Sequence, residues 1–235
     1  MASRHRPAGT SLLAAAVLLL AAACAIGPGG PAPDTHQLLR QSSQAMAGLT
    51  SVAADVKFGP GTTFQGFTLD SATSKVRLPA DSDTTIKVRQ QDFLVDVRVV
   101  IVNGRVFVKI PFGQFTEVTP QQATELPDVA SMFDRRRGLP ALLSAASSPK
   151  LSGSETVGKT DCHKVTATFT ADQVGQALGG FKPAGDVAAT LWIGQSDHLV
   201  HRVLLSGALV AGRPTSADIT LRDFNAPVTI VQPAP

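Results

Sequence analysis

Two thiols and five imidazoles are the side chains of this 235-residue chain with the most chemistry to offer. Cys162 and His163 are adjacent, and adjacent side chains on a strand point to opposite faces, so a thiolate–imidazole pair would need partners from elsewhere. His198 and His201, read as strand residues, also face opposite sides and make no metal-ligand pair. Acidic residues are scattered singly, with no pair placed as general acid and base. No G-x-S-x-G elbow, HExxH helix, P-loop or CxxC occurs. These residues predict no catalytic centre, no metal and no cofactor, and Cys162 reads as a small buried strand residue.

Cys24 is different, because of what stands before it. Arg4, His5 and Arg6 make a basic start, Leu12 to Ala23 an apolar run of about 12 residues, and Ala21-Ala22-Ala23 are small residues directly preceding the thiol. The run is shorter than the roughly 20 residues that span a bilayer, so it reads as a signal peptide removed on export. Small residues followed at once by cysteine are similar to the bacterial lipobox, with Ala21 where a leucine is usual. The reading divides the chain into a signal peptide over 1–23, a lipidated Gly/Pro-rich tether over 24–33 and a single domain over 34–235. Cys24, diacylated, would hold that domain firmly on the outer face of the plasma membrane.

Charge excludes another class. Lys and Arg number 21 against 18 Asp and Glu, and loss of Arg4 and Arg6 with the signal leaves 19 against 18. With one Trp, no Tyr and a single short basic run, the chain lacks the clustered positive surface and stacking platforms of a nucleic-acid binder. The run is Arg135-Arg136-Arg137, after Asp134. It reads as a solvated loop or, at the mouth of a cavity, as a set of donors for anionic head groups.

The elements that would position such residues follow from periodicity. Asp34 predicts the cap of a helix over 35–47, ended at Gly48. From Ser51 the period changes to two, and strands are predicted over 51–58, 75–78, 85–89, 93–101 and 106–110. Asn103-Gly104 marks a hairpin. Thr119-Pro120-Gln121-Gln122 has the form of a capping box with proline at the first helical position, and a further short helix is predicted over 138–146. More strands are expected over 161–169, 186–193, 199–206, 216–222 and 228–231, with Thr170 capping another helix before Gly179-Gly180. Gly59–Asp70 has no clear period. Ten or eleven antiparallel strands with one apolar face, and few helices to cover it, must curl around that face or leave it open to a ligand or partner.

Asn103-Gly104-Arg105-Val106-Phe107-Val108-Lys109-Ile110-Pro111-Phe112 resembles a hairpin of the mycobacterial LppX/LprG-type lipoproteins. Gly138–Leu143, Val187–Ile193, Leu199–Val203 and Leu221–Val228 continue the resemblance in the same order, with Phe107 where a tyrosine is common. The resemblance implies an α+β fold: a strongly curved antiparallel half-barrel with short helices on its concave side, enclosing an apolar cavity. It also implies a monomeric, non-catalytic carrier that takes an acylated lipid or lipoglycan from the plasma membrane towards the outer envelope, with a lipid exporter or efflux pump as a possible partner. The residues expected to line the cavity are the inward set Val95, Val97, Val99, Val106, Val108, Val165, Ala167, Val187, Ala189, Leu191, Ile219 and Leu221, with Leu142 and Leu143 from the helical cover. The competing reading is an interaction module whose apolar groove binds a protein partner.

Overall fold

The computed structural model describes residues 33–178, 183–210 and 213–234. Residues Asp34–Pro235 form one compact unit, whereas Cys24, the signal segment and the Gly/Pro stretch lie outside the described residues. The elements are helix α1 (Thr35–Ala47), strands β1 (Ser51–Phe58), β2 (Thr63–Phe64), β3 (Phe67–Arg77), β4 (Asp81–Gln90), β5 (Phe93–Val102), β6 (Arg105–Lys109) and β7 (Thr116–Glu117), helix α2 (Pro120–Ala123), a 3₁₀ turn (Ala130–Phe133), helix α3 (Leu139–Ser144), strands β8 (Ser147–Val157) and β9 (Thr160–Phe169), helix α4 (Ala171–Ala177), and strands β10 (Val187–Gly194), β11 (Val200–Val210) and β12 (Arg213–Arg222).

All described strands join one antiparallel sheet, ordered β7-β6-β5-β4-β3-β1-β12-β11-β10-β9-β8, with β2 beside β3. The sheet is not closed: β7 and β8 are its two edges. Two meanders build it, and they meet where β1, the first strand, pairs with β12, the last. The chain between the edges, 118–146, must therefore cross the sheet, and it carries α2, the 3₁₀ turn and α3.

Register makes the inner face continuous. One row runs Val165, Leu191, Val203, Ile219, Val56, Ala72, Ile86 and Val97 across eight strands, each directly opposite the next. Opposed β-branched and aliphatic side chains are the unit of sheet stability, and here they also make one apolar surface. Helix α1 turns Leu38, Leu39, Ser42 and Met46 inward, and its cap is the expected one, with Asp34 accepting from the His36 N–H at 3.0 Å. The Thr119/Gln122 and Thr170/Gln173 capping boxes are both formed.

The outer face is polar and laced with cross-strand ion pairs, among them Lys87–Asp96, Arg98–Asp83 and Arg202–Asp218. Trp192 lies there, buried between its register partners Lys164 and Arg202, whose cationic groups sit 5.2 and 4.5 Å from the ring centre. A second small core, Val100, Val102, Phe107 and Ile230, is also on this side.

One expectation needs correction, and two stretches without a strand reading turn out to hold strands. Residues 228–231 pair with no strand: their alternating apolar side chains pack on the outer face, with Ile230 against the small second core. Strand β8 was not anticipated, because SSPKLSGSETV is an edge strand, mostly exposed, that has no apolar face to show. Gly59–Asp70 holds β2 and the start of β3, and the register shift between Leu69 and Ser71 is what breaks the period there.

Candidate functional site

Between the inner face and the crossing segment lies a cavity of ≈ 200 Å³. The sheet contributes Val56, Ala72, Ile86, Val203 and Ile219 from the row above, and rows on either side add Ala54, Leu221, Phe58, Ala217 and Leu205. The cover contributes Val129, Met132, Phe133, Leu139 and Leu142, with Val174, Ala177 and Leu178 from α4. Phe64 and Leu69 line it at the end towards the β2–β3 turn.

Polar atoms in this wall are already partnered. Ser74 and Thr84, opposite each other on β3 and β4, share a hydroxyl–hydroxyl bond of 2.7 Å. The Thr62 hydroxyl donates to the Gly59 carbonyl at 2.8 Å and meets Thr215 at 2.6 Å. Buried hydroxyls satisfied among themselves leave the cavity nothing but apolar surface to offer a guest.

Of the side chains expected to line a cavity, Leu142, Ile219 and Leu221 border this one. The rest lie elsewhere, for two physical reasons. Leu143, Val165, Ala167, Val187, Ala189 and Leu191 face inward but sit in the solid part of the core, packed with α1, α3 and α4. Val95, Val97, Val99, Val106 and Val108 share the inner face beyond the cavity, towards β7, and all but the buried Val99 are partly exposed. Alternation identifies a face; where the cover lies over that face decides which of its residues meet open space. Phe58, Phe64, Val129, Met132 and Phe133 were missed because they come from strand ends and from the cover, whose packing side no strand period reveals.

Arg135, Arg136 and Arg137 are exposed in the turn between Phe133 and Leu139, both of which line the cavity. Asp134 fixes that turn by accepting from the Arg136 and Arg137 N–H groups at 2.9 and 3.1 Å. Gly138 closes it: a Cβ there would stand 2.5 Å from the Met132 carbonyl oxygen.

The remaining candidates form no reactive constellation. Cys162 is fully buried, and burial pushes its thiol up from the ordinary value, disfavouring a nucleophilic thiolate. His198 lies in the turn before β11 at a φ of 57°, so the strand alternation expected for it does not apply. His201 meets Asp197 at 3.0 Å and sets its ring edge-on to Phe224. The proton affinity of His163 is lowered by burial and then by neighbouring His198. Among the described residues, no three His, Cys, Asp or Glu side chains are grouped to hold a metal ion.

Fold and site together define an open antiparallel half-barrel whose inner face and helical cover line an apolar pocket. The chain belongs to the LppX_LprAFG lipoprotein family, which its residues 34–230 match. It is 28% identical to LprF of Mycobacterium tuberculosis, over 98% of this chain and 95% of that protein, whose name provisionally gives it transport of diacylated glycolipids. It is 27% identical to the lipoarabinomannan carrier protein LprG of Mycolicibacterium hassiacum, over 86% and 85% of the two chains. In fold it matches crystal structures of LprF from Mycobacterium bovis (TM-score 0.72, 24% identity, 88% of this chain and 100% of that one) and of Mycobacterium tuberculosis LppX (0.61, 24%, 84% and 98%).

Proposed function

We propose that the protein is a non-catalytic lipid carrier, anchored through acylated Cys24 to the outer face of the plasma membrane, that shields acyl chains of a lipid or lipoglycan on the way to the outer envelope. The observation that carries this is the cavity wall: its hydroxyls are paired with one another and the remaining lining side chains are apolar. Each buried methylene contributes about 0.8 kcal/mol, so area alone holds an acyl chain without a polar constellation. The names of LprF and LprG, a glycolipid transporter and a lipoarabinomannan carrier, support the same cargo class.

The arginine turn supplies the other half of the recognition. Among the described residues no carboxylate oxygen lies within 4.0 Å of a guanidinium nitrogen of Arg135, Arg136 or Arg137. Their guanidinium groups are thus available to a phosphate beside the cavity by charge-assisted hydrogen bonds. As it stands the cavity is smaller than the roughly 300–1,000 Å³ of sites for drug-sized ligands. A two-chain lipid therefore enters with the cover displaced outward.

The test is extraction and mass spectrometry of lipid that co-purifies, without detergent, with the protein from a host making its own envelope lipids. Near-stoichiometric acylated lipid is the expected result. Folded, monomeric, lipid-free protein would sink the carrier reading and favour a groove for a protein partner. Replacing the three arginines by Ser should weaken binding of anionic lipid and leave neutral diacylglycerol unaffected; equal losses for both would remove the head-group role.

A further inference from the structure

The apolar inner face does not stop at the cavity. Phe67 is directly opposite Phe64 across the β2–β3 pairing, and Phe64 lines the cavity. Phe93 continues the period-two row of Val95, Val97 and Val99. Pairing Thr68↔Arg89 and Gln90↔Phe93 places the start of β3, the end of β4 and the start of β5 at one end of the sheet; β6 ends level with the middle of β5, Lys109 opposite Arg98, and Ile110 and Phe112 beyond it border the same depression as Leu94 and Val95. Phe67 is 50% exposed, Phe93 72%, Ile110 61% and Phe112, in the turn after β6, 102%. Singly exposed apolar residues need no explanation, but four large ones around one end do.

The geometry points to this end as a bilayer-docking rim, through which acyl chains pass between the membrane interface and the cavity. The inference rests on the carrier reading for its cargo, and on the rim itself for the docking. The side chains come from three separate turns, and among the described residues no ring–ring contact joins Phe67, Phe93 and Phe112. They are projecting tips and not a flat complementary patch. Behind them on the outer-face rows stand Lys87, Arg89 and Lys109. Lys87 is matched by Asp96 and Arg89 by Asp70, Asp92 lies in the β4–β5 turn, and Lys109 has no described carboxylate within 4.0 Å. Three carboxylates thus balance the three basic side chains, and it is the aromatic tips that have the composition of an interfacial anchor. The tips also lead to the cavity wall: Phe67 is the register partner of Phe64, which lines the cavity together with Leu69.

The test uses residues 25–235, which keep the compact unit Asp34–Pro235 whole and lack both Cys24 and the apolar run 12–23, and vesicles of equal parts phosphatidylglycerol and phosphatidylcholine. The parent is expected to float with the vesicles. Phe67→Ser/Phe93→Ser/Phe112→Ser should lower the bound fraction about tenfold with an unchanged melting temperature, since all three side chains are exposed. A parent that stays in solution, or a triple variant that floats as well as the parent, overturns the proposal. So does a concentration-dependent dimer, seen without vesicles and lost in the variant, which would assign the rim to a second copy. Uptake of a fluorescent diacylglycerol from detergent separates the two readings: failure of uptake with flotation intact removes the carrier and leaves the docking rim standing.

Discussion

At the scale of the residue, the same fold needs two kinds of side chain, and each gives a distinct prediction. Ala72 lines the cavity between its register partners Val56 and Ile86. Its small volume is part of the space a guest would use, so Ala72→Trp should fill the cavity from within. Uptake of fluorescent diacylglycerol is expected to fall about tenfold or more, while the melting temperature shifts by only a few degrees because the ring enters existing space. Unchanged uptake would show that the guest binds elsewhere. On the outer face, Asp218 accepts two hydrogen bonds from Arg202 at 2.8 and 2.7 Å, and this donation holds its carboxyl below the usual carboxylate range. A depressed folded-state pKa contributes stability above the unfolded value of about 3.9, which is lost as pH falls through the folded value. Both partners are about one-third exposed, so the pair contributes about 0.5–1 kcal/mol. Asp218→Asn should lower the urea midpoint accordingly at pH 7, and the gap from the parent should close in acid. A gap that stays constant with pH would mean that packing on Trp192, not charge, is what was lost.

At the scale of the element, what could be read from the chain depended on whether an element has one apolar face. Strand β5 alternates cleanly, α1 shows its cap and stripe, and both capping boxes stand in the sequence. Strand β8 has no apolar face and was invisible, whereas 228–231 alternates without pairing and imitated a strand. The cavity was legible only as a face. Its bounds come from the cover, whose position depends on contacts such as the 2.5 Å approach that Gly138 permits, which no pattern of hydropathy encodes. That cover also yields a prediction. The Ser43 hydroxyl donates to the Pro140 carbonyl at 2.7 Å, and Ser144 reaches Ser43 at 2.9 Å, so α1 and α3 touch through two small side chains. Cysteines at both positions have side-chain atoms close enough for a disulfide. If a two-chain lipid enters by outward movement of α3, the oxidised Ser43→Cys/Ser144→Cys protein should load fluorescent diacylglycerol at least about tenfold more slowly than the reduced form, with reductant restoring the rate. Equal rates would place the moving part elsewhere, at α4 or the 3₁₀ turn.

At the scale of the molecule, an open 12-stranded sheet has a problem that its inner cover does not solve. Its outer face must stay polar or be covered, because an exposed apolar patch on a large sheet invites association. Ion pairs meet this need over most of the face. They leave one apolar spot at the β5–β6 hairpin, where Val100 and Phe107 are directly opposite each other with Val102 nearby, all buried. The chain end supplies the cover: Ile230 is 5% exposed and packs with these three side chains. Asn225 starts this tail by accepting from the Thr50 N–H at 2.8 Å, beside the Ser51 hydroxyl that donates to the Ala226 carbonyl at 2.6 Å. Ile230→Ala should therefore cost about 2 kcal/mol, read as a lower urea midpoint with unchanged slope. Ending the chain at residue 227 should do more. It exposes the patch as well as losing the contact, and self-association visible by light scattering is expected together with lower stability. Uptake of lipid by the monomeric fraction should remain, because the tail and the cavity lie on opposite faces of the sheet. Loss of uptake in that fraction would instead mean that the tail sets the curvature on which the cavity depends.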